Sequence, residues 1–237
     1  MERRDFLRAC AAGATLAATA PRALAAQQAS PRFYSRALLV DALGEPFRAS
    51  ALKPGTNYIF HYPFGGTPCF LLDLGKPTQR NVRLTTAGGR RYVWNGGVGA
   101  GRSIVAFSAI CAHQLAYPTR QISFISYRNG EDGSTFARPE TIHCCAEHSE
   151  YDPARGGKVL GGPANQPLAA ILLEHEAATD RLFATGTLGG ELFNEFFRKY
   201  DLKLTLEHGS ESAPRAPVAS TAQVSEMAVY CQQRVNC

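Results

Sequence analysis

Charge is scarce in this sequence: only 19% of its 237 residues are Asp, Glu, Lys or Arg, and they balance to a mild +5. Arg3, Arg4, Arg8 and Arg22 against Glu2 and Asp5 supply two of those charges, leaving +3 scattered over the rest. That excludes the concentrated basic face of a nucleic-acid-binding protein. No internal repeat is visible, and no apolar run reaches the ~20 residues of a membrane-spanning helix. What is present is an apolar fraction of 45% with 22 Gly and 14 Pro, a balance that fits loop-rich β-structure rather than a fibrous, coiled or disordered chain. The length is enough for one substantial domain with terminal extensions, folding around its own core without staples.

Residues 1–25 read as an address. Arg3-Arg4 is followed by Phe6-Leu7, a weakly hydrophobic Ala-rich run and the small-residue pattern Ala23-Leu24-Ala25. This resembles a twin-arginine signal peptide, which implies export of an already folded protein to the periplasm. Cleavage is expected. Membrane attachment through a retained N-terminus stays open, although Pro21 and Arg22 break the run. Cys10 lies too early, behind Arg8 and Ala9, for a lipoprotein site.

The segments RALLVDALGEPF, TNYIFHYPF, TPCFLLDLG, NVRLTT and RRYVW read as short strands separated by Gly, Pro and Asn turns. A strongly apolar strand over 103–110 delivers the chain to Cys111. Two further strands around the turn Asn129-Gly130-Glu131-Asp132-Gly133 form a long hairpin that ends at Cys144 and brings residue 145 back beside residue 111. LAAILLEHEAATDRLFATG gives two more strands, and Leu192, Phe193, Phe196, Phe197 and Tyr200 fall at the spacing of a short helix whose aromatic stripe packs on the sheet. From His208 the composition shifts to Glu, Ser, Ala and Pro, which predicts a flexible tail. The expected organisation is therefore a signal over 1–25, an all-β, mainly antiparallel domain over 33–207 with a short C-terminal helix, and a loose tail over 208–237.

The chemistry lies in Cys111-Ala112-His113 and Cys145-Ala146-Glu147-His148, a C-x-H and a C-x-x-H separated by 31 residues. Two thiolates and two imidazoles on two short loops suit an asymmetric pair of irons. Thiolates hold one ferric ion, and neutral imidazoles on the other leave the cluster less negative and easier to reduce. Imidazole ionisation then couples reduction to a proton near neutral pH. A Cys2His2 zinc site is the rival, but structural fingers place C-x2-4-C before H-x3-5-H rather than interleaving the two types. A Cys/His nucleophile pair would need a third, orienting group that the sequence does not show.

IVAFSAICAHQLAYP and CCAEHSEYDPARGGKVLGGPANQPL resemble the two cluster loops of the Rieske family, over residues 103–168. The resemblance implies a Rieske-type β-sandwich with a cluster-binding subdomain at about 106–166, holding one 2Fe-2S cluster. It assigns Cys111 and Cys145 to one iron and His113 and His148 to the other. Pro163, in Gly162-Pro163-Ala164, falls in the loop covering the cluster, and Ser149 and Tyr151 are candidates for hydrogen bonds to the cluster sulfurs.

Two departures matter. Subunits of cytochrome bc complexes carry one further cysteine in each loop, joined as a disulfide, where this chain has Ala116 and Ala146. That moves the resemblance toward proteins such as the small subunit of arsenite oxidase. The family also has one more residue between the ligand histidine and the Ser-x-Tyr-Asp stretch than His148-Ser149-Glu150-Tyr151-Asp152 provides. Either the chain is shorter there, or Cys144 replaces Cys145 in a C-x3-H arrangement; C-x-x-H favours Cys145.

Cys69, Cys144, Cys231 and Cys237 are left over, most simply with Cys231 joined to Cys237, or with Cys69 a buried free thiol in its apolar strand. His143 reads as a water-exposed strand-end residue and His61 as structural. The resemblance implies a redox partner: a molybdenum-type oxidoreductase subunit, cytochrome c, or a bc-like complex with quinol. A zinc-stabilised periplasmic binding protein is the non-redox alternative. A Rieske oxygenase would need a second iron site, for which the roughly 90 residues after the cluster leave no room.

Overall fold

The alternating and apolar runs become sixteen strands in a computed structural model that describes residues 28–130 and 138–237. In chain order these are β1 (Arg32–Val40), β2 (Tyr58–His61), β3 (Pro68–Asp73), β4 (Val82–Thr85), β5 (Arg91–Trp94), β6 (Ile104–Ser108), β7 (Ile122–Ser123) and β8 (Ile125–Arg128). They continue as β9 (Thr141–Cys144), β10 (Ser149–Asp152), β11 (Lys158–Gly161), β12 (Ala170–Glu176), β13 (Arg181–Leu188), β14 (Thr221–Gln223), β15 (Ser225–Glu226) and β16 (Gln233–Arg234). Two helices follow the main strands, α1 (Phe193–His208) and α2 (Met227–Tyr230). Twin-arginine residues 1–25 and the centre of the long hairpin at 131–133 lie outside the described residues.

The main sheet has the order β14-β1-β13-β12-β6-β3-β2-β15 and is antiparallel except where β14 joins β1. Both faces of its centre are buried, which is why β3 and β6 read as unbroken apolar runs. Successive side chains of β3 alternate between two cores: Phe70 and Leu72 enter one, Cys69 and Leu71 the other. Cys69 is thus a buried free thiol, pushed up in pKa by burial.

The Phe70 core runs on without a break into a second, four-stranded sheet, β11-β10-β9-β8, through Tyr127, Ile142, Cys144 and Tyr151. In that sheet β8 and β9 form the expected antiparallel hairpin, with Ile125 opposite Cys144 and Arg128 opposite Thr141. The smaller sheet therefore stands on the same apolar foundation as β6, the strand that leads to Cys111.

Helix α1 forms where the aromatic stripe predicts one, but it is 16 residues long with a kink at Tyr200. Phe193, Phe196, Phe197 and Leu204 pack on Ile110 and Tyr117, that is, on the loop following β6 rather than on the sheet face alone.

Residues 208–237 are not the loose tail that their composition suggests. After Pro214 they add β14 to β1, β15 to β2, the short α2, and β16 to β7. Polar composition misleads here because backbone pairing needs no apolar side chain, and Ala222, Val224, Met227, Tyr230 and Cys231 supply the burial. The chain closes with a disulfide between Cys145 and Cys237, not between Cys231 and Cys237; Cys231 is a buried free thiol. No helix among the described residues is long and apolar enough to cross a membrane.

Candidate metal centre

Two loops meet at one end of the molecule. The first leaves β6 and turns at Cys111, whose N–H donates to Ala116 O (2.8 Å) and whose carbonyl accepts from Leu115 N (3.0 Å). The second is the four-residue turn between β9 and β10, closed by His148 N donating to Cys144 O at 2.7 Å. Cys144 and Ser149 face each other across it. His148 sits at φ 57°, a left-handed conformation that favours glycine.

The structure buries Cys111 and Cys144 in one core, where each thiol perturbs the other. The same pattern repeats in both loops: backbone N–H groups of His113 and Gln114 favour the charged form of Cys111, and those of Ala146 and Glu147 the charged form of Cys144. The Tyr151 hydroxyl lies 3.2 Å from Cys111 Sγ and accepts from Ala112 N at 3.0 Å. The neighbouring Cys144, then the Tyr151 hydroxyl and the backbone, hold the Cys111 thiol below the usual cysteine range despite its burial. Cys144 moves the other way, because the two sulfurs share one proton and both are buried.

His113 approaches the second loop through Nδ1, which is buried, makes no hydrogen bond and lies 3.4 Å from a Glu147 carboxylate oxygen. The rest of the ring reaches solvent. Ser149 Oγ is likewise buried without a hydrogen-bond partner. Gly162, at φ 79°, lets the loop carrying Pro163 lie against the second loop, since a Cβ there would fall 2.3 Å from His148 O.

Cys145 faces away from Cys111. Its sulfur is bonded to Cys237 and lies 3.2 Å from Arg128 Nη2, so in this oxidised form it is not available to a metal. His143, Cys145 and Cys237 form a further His/Cys group, with ligand atoms within 4.8 Å of one another. His148 stands beside it, its Nδ1 3.2 Å from His143 Nε2. His143 is buried rather than water-exposed, because β9 is an inner strand of its sheet and Glu150 packs on its other nitrogen at 3.3 Å. Burial lowers its pKa. The register separates the two cysteines: Cys144 ends β9 opposite Ile125 and Ser149 and is buried, whereas Cys145 lies in the turn and is half-buried.

These loops fit a two-iron cluster better than a single ion. Among the described residues no third ligand atom joins Cys111–Cys144 or His113–Glu147 within 4.8 Å, so the donors form two separate pairs rather than one tetrahedral cage. The orphaned His113 Nδ1 is the open valence such a group would fill.

The chain is 30% identical over 190 residues to an iodate reductase subunit, IdrB, of Denitromonas iodatirespirans, covering 80% of this chain and 82% of that protein. It belongs to the IdrB family. A second IdrB, from a Pseudomonas strain, is 32% identical over 143 residues, 59% of this chain, and the match spans 57% of that relative's length. Among solved structures, the soluble domain of Rieske protein II (soxF) from Sulfolobus acidocaldarius aligns at 25% identity with a TM-score of 0.46, covering 67% of this chain and 82% of that one. No family model matches. This IdrB-family chain thus combines a mainly antiparallel β-fold with two loops that present Cys and His side chains to one another.

Proposed function

We propose that this chain is an exported electron carrier, the small subunit of a periplasmic oxidoreductase, holding a Rieske-type 2Fe-2S cluster between its two loops. The observation that carries the reading is the convergence of Cys111 with Cys144, and of His113 with the same turn, from two separately built loops. Cys111 and Cys144 would bind one iron and His113 the other. When bound, the cluster supplies one-electron redox chemistry.

The protein's own residues shape that exchange. N–H groups of both loops and the Tyr151 hydroxyl point at the thiolate sulfurs and offset their negative charge, which favours accepting an electron. The partly exposed His113 ring would hold one iron and would carry that side of the centre toward solvent. A cluster held in this way would supply electron transfer and leave substrate chemistry to a partner. The relatives are named as iodate reductase subunits, so the partner proposed here is a molybdenum-type catalytic subunit that reduces an oxyanion. Arg3-Arg4 and the Ala23-Leu24-Ala25 pattern support periplasmic export by the twin-arginine route.

The test is electron paramagnetic resonance of the dithionite-reduced protein purified from periplasm. A 2Fe-2S signal with two irons per chain is expected. A silent, colourless protein containing zinc would overturn the reading.

A further inference from the structure

The first loop offers His113, but the second loop contains two candidates for the fourth donor, adjacent in sequence and opposite in placement. His148 stands next to His143 on the side of the Cys145–Cys237 disulfide. Glu147 stands next to His113. We infer that Glu147, not His148, is the fourth ligand, so that the centre is held by Cys111 and Cys144 on one iron and by His113 and Glu147 on the other.

Three observations converge. The 3.4 Å between His113 Nδ1 and the Glu147 carboxylate oxygen equals the separation of two donors on one tetrahedral ion, about 3.4 Å for metal–ligand bonds of about 2.1 Å. The spacing also closes. Counted from Cys144, whose sulfur is the one turned inward, Cys144-Cys145-Ala146-Glu147 is a C-x-x-E, the two-residue gap expected of the second ligand pair. The residue missing between ligand and Ser149-Glu150-Tyr151-Asp152 then reappears as His148. Finally, the left-handed backbone at His148 carries the chain from the turn into β10 and sends its side chain toward His143. Glu147 remains exposed enough to reorient onto a metal without disturbing the core.

A carboxylate adds a negative charge where an imidazole would be neutral, so this centre is harder to reduce than one with two histidines and carries one redox-linked imidazole instead of two. The assignment rests on the cluster reading above, and the experiment separates their failures. Nitrogen couplings in the reduced wild-type holoprotein should show one ligand imidazole. Glu147→Ala should lose most of its iron while keeping its fold by circular dichroism. Glu147→His should hold two irons, gain a second ligand nitrogen, rise in potential and double the alkaline slope of potential against pH. His148→Gly, which suits the left-handed backbone, should keep the wild-type signal. Two ligand nitrogens in the wild type, cluster retention in Glu147→Ala, or cluster loss in His148→Gly would each overturn the assignment and leave the cluster standing. A folded wild type without iron would instead remove the cluster itself.

Discussion

The two loops that face the centre share a hydrogen-bonding pattern around their cysteine sulfurs, yet they are held in place by different physics. The first is braced by apolar packing. Phe196 of α1 meets Tyr117 edge-on at 4.8 Å between ring centroids, Ile110 joins the same cluster, and Lys199 donates to Gln114 O at 2.6 Å. The second is tied covalently, through Cys145 to Cys237, with the buried Arg128 holding the C-terminal residues by bonds to Val235 O and Asn236 Oδ1, both at 2.5 Å. A bc-type disulfide would join loop to loop. Here each loop is fastened to its own neighbour, and the centre would be the main link between them.

Removing the apolar brace should have the largest effect. Phe196 is fully buried, and Phe196→Ala should cost about 3–5 kcal/mol, the usual range for truncating a core aromatic. Urea unfolding followed by circular dichroism reads this directly. If the midpoint barely moves, the first loop is held by something other than α1.

Cutting the covalent tie comes next. The disulfide spans 92 positions of sequence, and Cys237→Ser should lower stability by about 2–4 kcal/mol, mainly by freeing the unfolded chain. Dithiothreitol should reproduce the loss in the wild type and add nothing in the variant. The Cys111–Cys144 contact does not involve Cys145, so an iron-loaded sample should keep its cluster after mild reduction of this bond. Cluster loss on reduction would mean that the second loop depends on its C-terminal tie for geometry as well as stability.

The same contrast explains what could be read in advance. β3, β6 and the β8–β9 hairpin were legible because apolar runs and turn residues specify strands locally, and the stripe from Phe193 to Tyr200 specified α1 the same way. The first loop leaves less to choose, since its C-x-H lies within one turn. The second leaves a choice open. Choosing between Cys144 and Cys145 depends on which of two adjacent side chains points inward, and a one-residue change of register inverts that. The disulfide partner of Cys145 lies 92 positions further along the chain, beyond any local pattern. The C-terminal segment was misjudged for a related reason: its strands are two or three residues long and gain their order from β1, β2 and β7, which local composition does not report.

The smallest effect sharpens the comparison at the sulfurs themselves. The Cys144 sulfur faces its loop's backbone N–H groups, which no side-chain truncation removes, whereas the Cys111 sulfur also meets the Tyr151 hydroxyl from β10. Tyr151→Phe should therefore lower the reduction potential of the holoprotein by about 60 mV, the one-electron equivalent of a hydrogen bond worth about 1.4 kcal/mol. It should also cost about 1 kcal/mol of stability, because the Ala112 N–H loses its acceptor in a buried site. A redox titration beside a denaturation curve separates the two consequences. Lost stability at an unchanged potential would mean that the hydroxyl serves the backbone of the first loop alone, and the two sulfurs would then be equivalent in what the protein supplies to them.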